Sequence, residues 1–322
     1  MTTAVAIALY NGSRFLEKQL DSIRLQTCAP DQVILCDDGS KDATVQIVRD
    51  YIARYGLEKN WHIYENETNL GYIRNFYKAI SLCTADCVFL SDQDDIWAHD
   101  KIEKMNAQMQ RNQRISLLCC KYGIIDAQDN VQQSITEPEQ IENHKVEEVT
   151  VADIMRAYRW PGMTMCLRKS FFQRIYPSIH DKNVAHDLMF AVCAADAGEF
   201  FSYNYVGAYH RRHENNTARE EHRITKLLNL QRKLKDIEIT KGTWAELSQA
   251  NLPISNDNAE QISRRLALMD ARLYALKTRS LTKILKLYCM DKSHYLRIGS
   301  FLCDLWLVCF GNYREVSRTS ER

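Results

Sequence analysis

The chain has 322 residues, of which 45% are hydrophobic and 26% charged, and its formal net charge is +1. This composition excludes a disordered chain, which combines low hydrophobicity with high net charge, and 11 glycines with 5 prolines exclude collagen-like and low-complexity sequences. The near-neutral total hides a division, because residues 1–209 carry a net charge of −7 and residues 210–322 a net charge of +8. An acidic body followed by a basic tail predicts different roles for the two parts.

Short apolar runs alternate with helical patterns through the first 120 residues. Each helical pattern repeats apolar residues at three- and four-residue spacing, as Leu16, Leu20 and Ile23 do. Repeated strand–helix units with continuously apolar strands predict an α/β fold around a mostly parallel, buried sheet. The predicted strands are residues 5–9, 33–36, 62–64, 88–90 and 115–120.

The pattern changes after residue 126. Residues 127–150 are polar and acidic without a clear period, which predicts a loop. Two further strands are expected at 163–167 and 200–206, with a helix at 186–196 between them. From residue 220 onward the chain is predicted to be helical, with a break near 251–257.

The sequence shows no sign of secretion or membrane insertion. The first residues contain no basic segment followed by a long apolar one, so no signal peptide is expected. The longest apolar run, 301–310, is interrupted by Asp304 and is shorter than the roughly 20 residues that span a bilayer. The 11 cysteines include no C-x-x-C spacing, which predicts reduced thiols in a cytoplasmic protein.

Polar residues follow three of the predicted strands. They are Y-N-G at 10–12, D-D-G-S at 37–40 and S-D-Q-D-D at 91–95. Ligands of open parallel sheets bind beyond the carboxyl ends of the strands, so these loops are the expected site. Capping of the next helix is the alternative role for the acids at 37–38. The acids at 92, 94 and 95 are crowded enough to need a balancing cation, and carboxylates suit Mg or Mn.

Other common nucleotide or hydrolase motifs are missing from the sequence. It contains neither a G-x-G-x-x-G fingerprint nor a P-loop, and neither H-E-x-x-H nor G-x-S-x-G. A dinucleotide site, a P-loop site, a zinc protease and a serine hydrolase of those types are therefore disfavoured.

Six short motifs, in order, resemble the family-2 inverting glycosyltransferases of the GT-A fold. They cover about two thirds of the chain, and the form S-D-Q-D-D-I-W is most similar to the branch with bacterial rhamnosyltransferases and other cell-surface polysaccharide transferases. The resemblance implies a GT-A type, Rossmann-like sheet flanked by helices. The motifs are A-L-Y-N-G at 8–12, C-D-D-G-S at 36–40, N-L-G at 69–71, S-D-Q-D-D-I-W at 91–97, G-M-T-M at 162–165 with H-D at 186–187, and R-R-H-E-N-N at 211–216.

The resemblance implies roles for the matching residues. Asp38 corresponds to the acceptor of the N3–H of a uracil or thymine base, and Asp92 and Asp94 to the two acids of the metal-binding D-x-D motif. Asp187 corresponds to the base that deprotonates the acceptor hydroxyl, and a helix cap is the alternative. His213 corresponds to a metal ligand or to an ordinary surface histidine.

Further residues are assigned to substrates by the same resemblance. The tryptophans at 97 and 160 are expected to lie in the core, or to support the residues that contact the substrate, in preference to stacking on a sugar. The nucleotide-sugar set is Leu9, Tyr10, Asn11, Asp38, Asn75, Asp92 and Arg211. The substrate set is Asp95, Trp97, Trp160, Gly162, Met163, Thr164 and His186.

The basic tail permits several interpretations. Leu281, Ile284, Leu285 and Tyr288 share helical spacing with lysines nearby, and the apolar run 301–310 follows. A cationic amphipathic helix beside an aromatic apolar one is typical of a peripheral membrane anchor. The alternative is a helical hairpin packed on the catalytic domain or forming a homo-oligomer. No motif supports nucleic-acid binding.

Together these features predict a catalytic domain at 1–217, with a nucleotide-sugar half at 1–120 and an acceptor half at 121–217, followed by a helical region at 218–322. The expected function is inverting transfer from a dTDP-rhamnose or UDP-hexose donor to a carbohydrate, lipid-linked acceptor, with Mn or Mg, at the inner face of the cell membrane. Two rivals are a sugar-phosphate nucleotidyltransferase, which would need a Gly-rich triphosphate loop, and a non-catalytic carbohydrate-binding scaffold on the same fold.

Overall fold

The computed structural model describes residues 1–132, 142–213, 229–290 and 298–311. The chain divides into two compact units, Met1–Thr217 with Ala250–Ser255, and Ala218–Gln249 with Asn256–Arg322. The first unit is an α/β structure and the second is helical in its described residues.

The strands of the described residues all belong to the first unit. They are β1 (Thr3–Leu9), β2 (Gln32–Asp37), β3 (Trp61–Glu65), β4 (Cys87–Ser91), β5 (Ile96–Trp97), β6 (Leu117–Ile125), β7 (Val131–Gln132), β8 (Val146–Glu148), β9 (Met165–Arg168) and β10 (Phe200–Arg211). The helices of this unit are α1 (Leu16–Arg24), α2 (Thr44–Tyr55), α3 (Tyr72–Leu82), α4 (Lys101–Arg111), α5 (Val151–Arg156), α6 (Lys169–Ile179) and α7 (His186–Asp196).

These strands form one sheet in the order β3-β2-β1-β4-β9-β6-β10-β5, with β7 on β6 and β8 on β10. The four strands β3, β2, β1 and β4 are mutually parallel. Strand β9 then runs antiparallel between β4 and β6. The predicted α/β architecture, a largely parallel sheet flanked by helices and followed by a helical region, is confirmed.

The sheet is the core of the first unit because its central strands are apolar on both faces. Every residue of β1 except Ala8 is buried, and all of β4 is buried. The flanking helices supply amphipathic faces, and α1 buries Leu16, Gln19, Leu20 and Ile23. Helix α7 is different, because nine of its residues are buried, as its apolar sequence requires.

The structure contains α5, α6 and β5, which the sequence did not predict, and it alters two predicted elements. The strand expected at 163–167 begins as a single 3-10 turn, Gly162–Thr164, and only then becomes β9. The turn is closed by a hydrogen bond from the Thr164 side chain to the Pro161 carbonyl oxygen (2.8 Å). The loop expected at 127–150 contains the short strands β7 and β8, which have two and three residues and are too short to give a recognisable sequence pattern. Residues 133–141 of this segment lie outside the described part of the chain.

The second unit contains four helices in its described residues. They are α8 (Leu230–Gln249), α9 (Asn256–Lys277), α10 (Leu281–Met290) and α11 (Ile298–Phe310). The amphipathic stripe predicted on α10 is divided, because Ile284 is buried and Tyr288 stacks on Phe301 (ring centroids 4.0 Å apart), while Leu281 and Leu285 are exposed. Among the described residues no helix has both the length and the apolarity to span a bilayer.

Candidate functional site

The carboxyl ends of β1, β2 and β4 lie side by side at one edge of the sheet. Leu9 at the end of β1 pairs with Asp37 at the end of β2, and Ile7 pairs with Ser91 at the end of β4. Leu9 itself is buried in the core. The three polar loops that the sequence singled out are therefore neighbours.

The loops after β1 and β4 are joined by the side-chain amide of Gln93. Its Oε1 accepts a hydrogen bond from the Tyr10 backbone N–H (2.8 Å), and its Nε2 donates to the Tyr10 carbonyl oxygen (2.9 Å). A Cβ on Gly12 would lie 2.3 Å from Gln93 Oε1, so this contact requires glycine. Tyr10 is half exposed. Gln93 was not predicted as a site residue, although its position inside the acidic motif was a usable signal.

The loops after β1 and β2 are joined through Asn11. Its backbone N–H donates to Ser40 Oγ (2.9 Å), and its Oδ1 accepts from the Lys41 backbone N–H (2.8 Å). Asn11 has a φ of 50°, a left-handed conformation that asparagine tolerates better than most residues. Asn11, predicted to contact the nucleotide, therefore holds the loops after β1 and β2 together in the structure.

Asp38 organises the loop between β3 and α3. Its Oδ1 accepts from Asn66 Nδ2 (2.8 Å) and the Leu70 backbone N–H (2.7 Å), and its Oδ2 accepts from the Gly71 backbone N–H (2.9 Å). The residue is 3% exposed. A carboxylate has about four acceptor positions, so one remains for a further donor.

Behind Asp38 lies a chain of amides. Asn66 Nδ2 also donates to Asn75 Oδ1 (2.9 Å), and Asn75 Nδ2 donates to the Cys36 carbonyl oxygen (2.8 Å). Asn75 is 1% exposed, and both ends of its amide are used inside the protein. As placed, Asn75 supports Asp38 through Asn66 and does not itself face a ligand.

Residues 92–95 between β4 and β5 form what we call the acidic loop, and two of the predicted metal ligands are in contact there. His213 Nε2 lies 2.8 Å from Asp94 Oδ2. Burial and the neighbouring negative charges raise the pKa of Asp92 well above its ordinary value. Burial and Asp95 also raise the pKa of Asp94, against the opposing effect of His213. In the described ranges no cluster of three or more His, Cys, Asp or Glu side chains is arranged around one point as a metal site.

Asp95, predicted to contact substrate, is turned into the protein. It is 0% exposed, and its Oδ1 accepts from the Arg211 backbone N–H (3.0 Å) and lies 3.0 Å from His210 Nδ1. The physical reason is the pairing of β5 with β10, where Ile96 lies opposite Tyr209. Asp95 therefore ties the acidic loop to β10.

Arg211, predicted to bind the nucleotide sugar, is also buried. Its Nε donates to the Asp94 carbonyl oxygen (2.8 Å), its Nη1 donates to the Asp126 carbonyl oxygen (3.1 Å), and it forms an ion pair with Asp129. The guanidinium carbon lies 4.6 Å from the ring centroid of Phe15. Arg211 thus supports the acidic loop from behind. The motif residues Glu214, Asn215 and Asn216 lie outside the described part of the chain.

Asp187 is the second residue of α7. The residue preceding the helix, Ala185, makes no side-chain cap, and Asp187 Oδ1 accepts the Leu188 backbone N–H (2.7 Å). Negative charge is favoured in the first turn of a helix. The Tyr158 hydroxyl donates to the Trp160 carbonyl oxygen (2.7 Å), and burial, followed by the charge of Asp187, raises the pKa of Tyr158 well above its ordinary value.

His186 is held in an apolar setting beside Asp187. It is 5% exposed and stacks on Phe76 with ring centroids 4.3 Å apart. Neither ring nitrogen has a hydrogen-bond partner in the part of the chain that is described. Burial lowers the pKa of His186, so the ring is neutral near pH 7. A Cβ on Gly162 would lie 3.0 Å from Nε2, which places glycine against this ring.

The 3-10 turn that contains Gly162 is anchored by a buried lysine. Lys101 Nζ donates to the Met163 carbonyl oxygen (2.6 Å) and lies 3.7 Å from the ring centroid of Trp97. Met163, Thr164 and Trp97 are buried, in agreement with the preferred core position for Trp97. Trp160 is half-buried, with its Nε1 3.3 Å from Ser202 Oγ. Lys101 was not predicted; it is the first residue of α4 and carried no motif.

The amino-acid sequence is similar to those of known glycosyltransferases. The profile of Glycosyl transferase family 2 matches residues 4–173. The chain is 25% identical over 257 residues to the dTDP-rhamnosyl transferase RfbG of Shigella flexneri, covering 74% of this chain and 80% of that protein. It is 32% identical over 104 residues to the uncharacterized glycosyltransferase MG025 of Mycoplasma genitalium, covering 31% of this chain and 34% of that protein.

The fold is shared with solved structures at low sequence identity. Staphylococcus aureus TarS 1–349 in complex with UDP-GlcNAc superposes with a TM-score of 0.60 at 16% identity, covering 98% of this chain and 93% of that one. The mannosyltransferase PcManGT of Pyrobaculum calidifontis, in complex with GDP-Man and Mn²⁺, gives a TM-score of 0.56 at 14% identity, covering 95% and 86%. These similarities confirm the GT-A-like α/β fold.

Proposed function

This chain belongs to glycosyl transferase family 2, and on that premise we propose that it transfers a sugar from a nucleoside-diphosphate sugar to the hydroxyl of a carbohydrate acceptor, with inversion and with a divalent metal. The observation that carries the proposal is the joined edge of the sheet, where Gln93 and Asn11 connect the loop after β1 to the two loops that bear Asp38, Asp92 and Asp94. These loops bring the acids of the motifs to the carboxyl ends of parallel strands, where such ligands bind.

The proposed base pocket is centred on Asp38. Its remaining acceptor position suits the N3–H of a uracil or thymine base, and its three internal hydrogen bonds keep the carboxylate oriented before the ligand arrives. A UDP complex among the structural neighbours and a dTDP-rhamnosyl transferase among the relatives support these two bases equally. The donor therefore stays a dTDP-rhamnose or a UDP-hexose.

The acidic loop carries the charge that a divalent cation would balance, although in the described residues its side chains are not gathered around one point. Raised pKa values at Asp92 and Asp94 mark negative charges that are crowded and only partly compensated by the protein. Their oxygens, with the His213 ring nitrogen that already touches Asp94, would hold Mn or Mg. When bound, the metal neutralises charge on the departing diphosphate.

The chain's own residues carry the remaining steps. Asp187 takes the proton of the acceptor hydroxyl as that oxygen attacks the anomeric carbon, and the bond from that carbon to the diphosphate breaks. The neutral ring of His186 and the Tyr158 hydroxyl, which donates to the Trp160 carbonyl oxygen, lie close enough to Asp187 to feel its charge. Arg211 and Asp95 hold the acidic loop in place from within the protein.

We place the reaction in the cytoplasm on a lipid-linked glycan of cell-surface polysaccharide synthesis. All 11 cysteines fall in the described residues and none forms a disulfide, as expected in a reducing compartment.

A screen of UDP and dTDP sugars for release of nucleoside diphosphate tests the proposal. Release should require Mn or Mg, should occur with one base class, and should increase when an acceptor glycan is added. The variant Asp187→Asn should bind donor but fail to transfer, while Asp181→Asn, an exposed acid of the preceding loop, should behave as wild type. No turnover with any sugar nucleotide, with binding also absent, would contradict the proposal.

A further inference from the structure

Helix α11 has its charged residue on the inside. Asp304 is 0% exposed and forms a two-pronged ion pair with Arg272 of α9, one arm of which measures 2.9 Å from Nη2 to Oδ1. Phe301 and Leu307 of the same helix are also buried. The residue that interrupts the apolar run in the sequence is therefore the one that points into the helical unit.

The outward face of this helix is apolar. Leu302, Trp306 and Phe310 are 55%, 40% and 67% exposed, and their four-residue spacing aligns them along one side of α11. We call these three residues the α11 face. A row of large apolar side chains next to water is costly, and such patches are typical of interaction surfaces.

The net charge of the C-terminal sequence favours one of the possible occupants of this face. Residues 271–322 contain ten Lys and Arg against four Asp and Glu, and one of those acids is the buried, paired Asp304. Two copies of the chain would bring two strongly positive segments together, which is repulsive, whereas an anionic lipid surface attracts each of them. The charge therefore favours a membrane.

The dimensions of the helix favour a position in the membrane interface. Its 13 residues are about 20 Å long, well short of the roughly 30 Å of hydrocarbon in a bilayer. Tryptophan is enriched at the level of the lipid headgroups. We propose that the α11 face docks onto an anionic membrane surface, with Leu302, Trp306 and Phe310 inserted among the headgroups and the helix axis parallel to the membrane plane.

Co-sedimentation of the full chain with vesicles tests this inference independently of any transfer activity. Wild type should bind vesicles of phosphatidylcholine with phosphatidylglycerol, bind pure phosphatidylcholine less, and lose binding as salt is raised. The triple variant Leu302→Gln, Trp306→Gln, Phe310→Gln should bind about tenfold or more weakly. The matched control is Ile239→Gln on α8, which alters a side chain that is 59% exposed and should bind as wild type.

A second measurement guards against a variant that fails to fold. Brominated lipid should quench part of the wild-type tryptophan fluorescence, and Trp306→Phe should remove most of that quenching while keeping vesicle binding. Three outcomes would overturn the inference: no vesicle binding by wild type, equal binding by a folded triple variant, or light scattering that shows a wild-type dimer and a monomeric triple variant.

Discussion

The adjacent carboxylates of Asp37 and Asp38 accept hydrogen bonds from different loops and therefore have different roles. Asp37 Oδ2 accepts the backbone N–H groups of Gly39 and Ser40 (3.1 and 2.9 Å) and so shapes its own loop. Asp38 accepts the N–H groups of the loop at residues 66–71 and keeps one acceptor position for a ligand. The side chain proposed to read the base is thus also a structural anchor.

Changing Asp38 to Asn tests this double role. The amide has one acceptor oxygen and must turn its NH₂ toward an N–H donor, either of the loop or of the base. Loss of a hydrogen bond to a charged group predicts binding of UDP or dTDP that is about 10- to 100-fold weaker, with a lower Tm. Calorimetry and thermal melting measure both quantities, with Asp50→Asn on the exposed side of α2 as control. Unchanged affinity would reduce Asp38 to a loop anchor.

The variant Asp187→Asn distinguishes two roles for Asp187, that of a catalytic base and that of a residue that only stabilises the start of α7. The amide oxygen can still accept the Leu188 N–H, so the start of α7 should be preserved. Loss of the base should lower kcat by about 10² to 10⁴. The dissociation constant of the donor should stay the same, because the acceptor proton plays no part in donor binding. Transfer within a few-fold of wild type would place the base elsewhere.

At the scale of elements, α4 and the 3-10 turn at Gly162–Thr164 depend on one another through Lys101. Burial lowers the pKa of this lysine to about 8, against the attraction of Asp95. The unfolded chain therefore binds more protons than the folded chain between about pH 8 and pH 10.5. As the pH rises through that range, Lys101 loses its charge in the folded state, so the free-energy cost of burying that charge falls and the folded state becomes more stable.

The variant Lys101→Met checks this linkage. The free energy of unfolding of wild type should rise relative to that of Lys101→Met as the pH increases through this range, because only wild type loses a buried charge. Denaturant titrations at the two ends of the range measure the difference. Loss of the Met163 contact should also raise KM for the acceptor more than for the donor. A difference that does not change with pH would show that the pKa of Lys101 is not lowered by folding and that the residue stays charged over this range.

At the scale of the whole molecule, negative charge is concentrated in the part that bears the acidic loop and positive charge in the helical part. Removal of metal should therefore affect the first unit alone. A chelator should lower turnover by about a hundredfold or more, and added Mn or Mg should restore it. The variant Asp94→Asn should not be restored by the same additions. Full turnover in excess chelator would remove the metal from the mechanism.

The amino-acid sequence was enough to predict the α/β architecture and to indicate a candidate site. Strands and helices are recognised from the spacing of apolar residues that are close together in the chain. This local pattern predicted the strands β1 to β4 and the helices between them to within a few residues. Since the carboxyl ends of neighbouring parallel strands meet, the sequence also predicted that the polar loops after β1, β2 and β4 lie at one edge of the sheet, as they do.

The orientation of each polar side chain, in contrast, depends on contacts between distant parts of the chain. Asp95 and Arg211 are turned inward by contacts between the acidic loop and β10, whose residues are more than 100 positions apart in the chain. Arg272 likewise turns Asp304 inward and leaves the α11 face outside. Local sequence specifies that a residue is charged and what element it lies in. Its orientation depends on distant partners, because a buried charge is stable only where the fold supplies the compensating group.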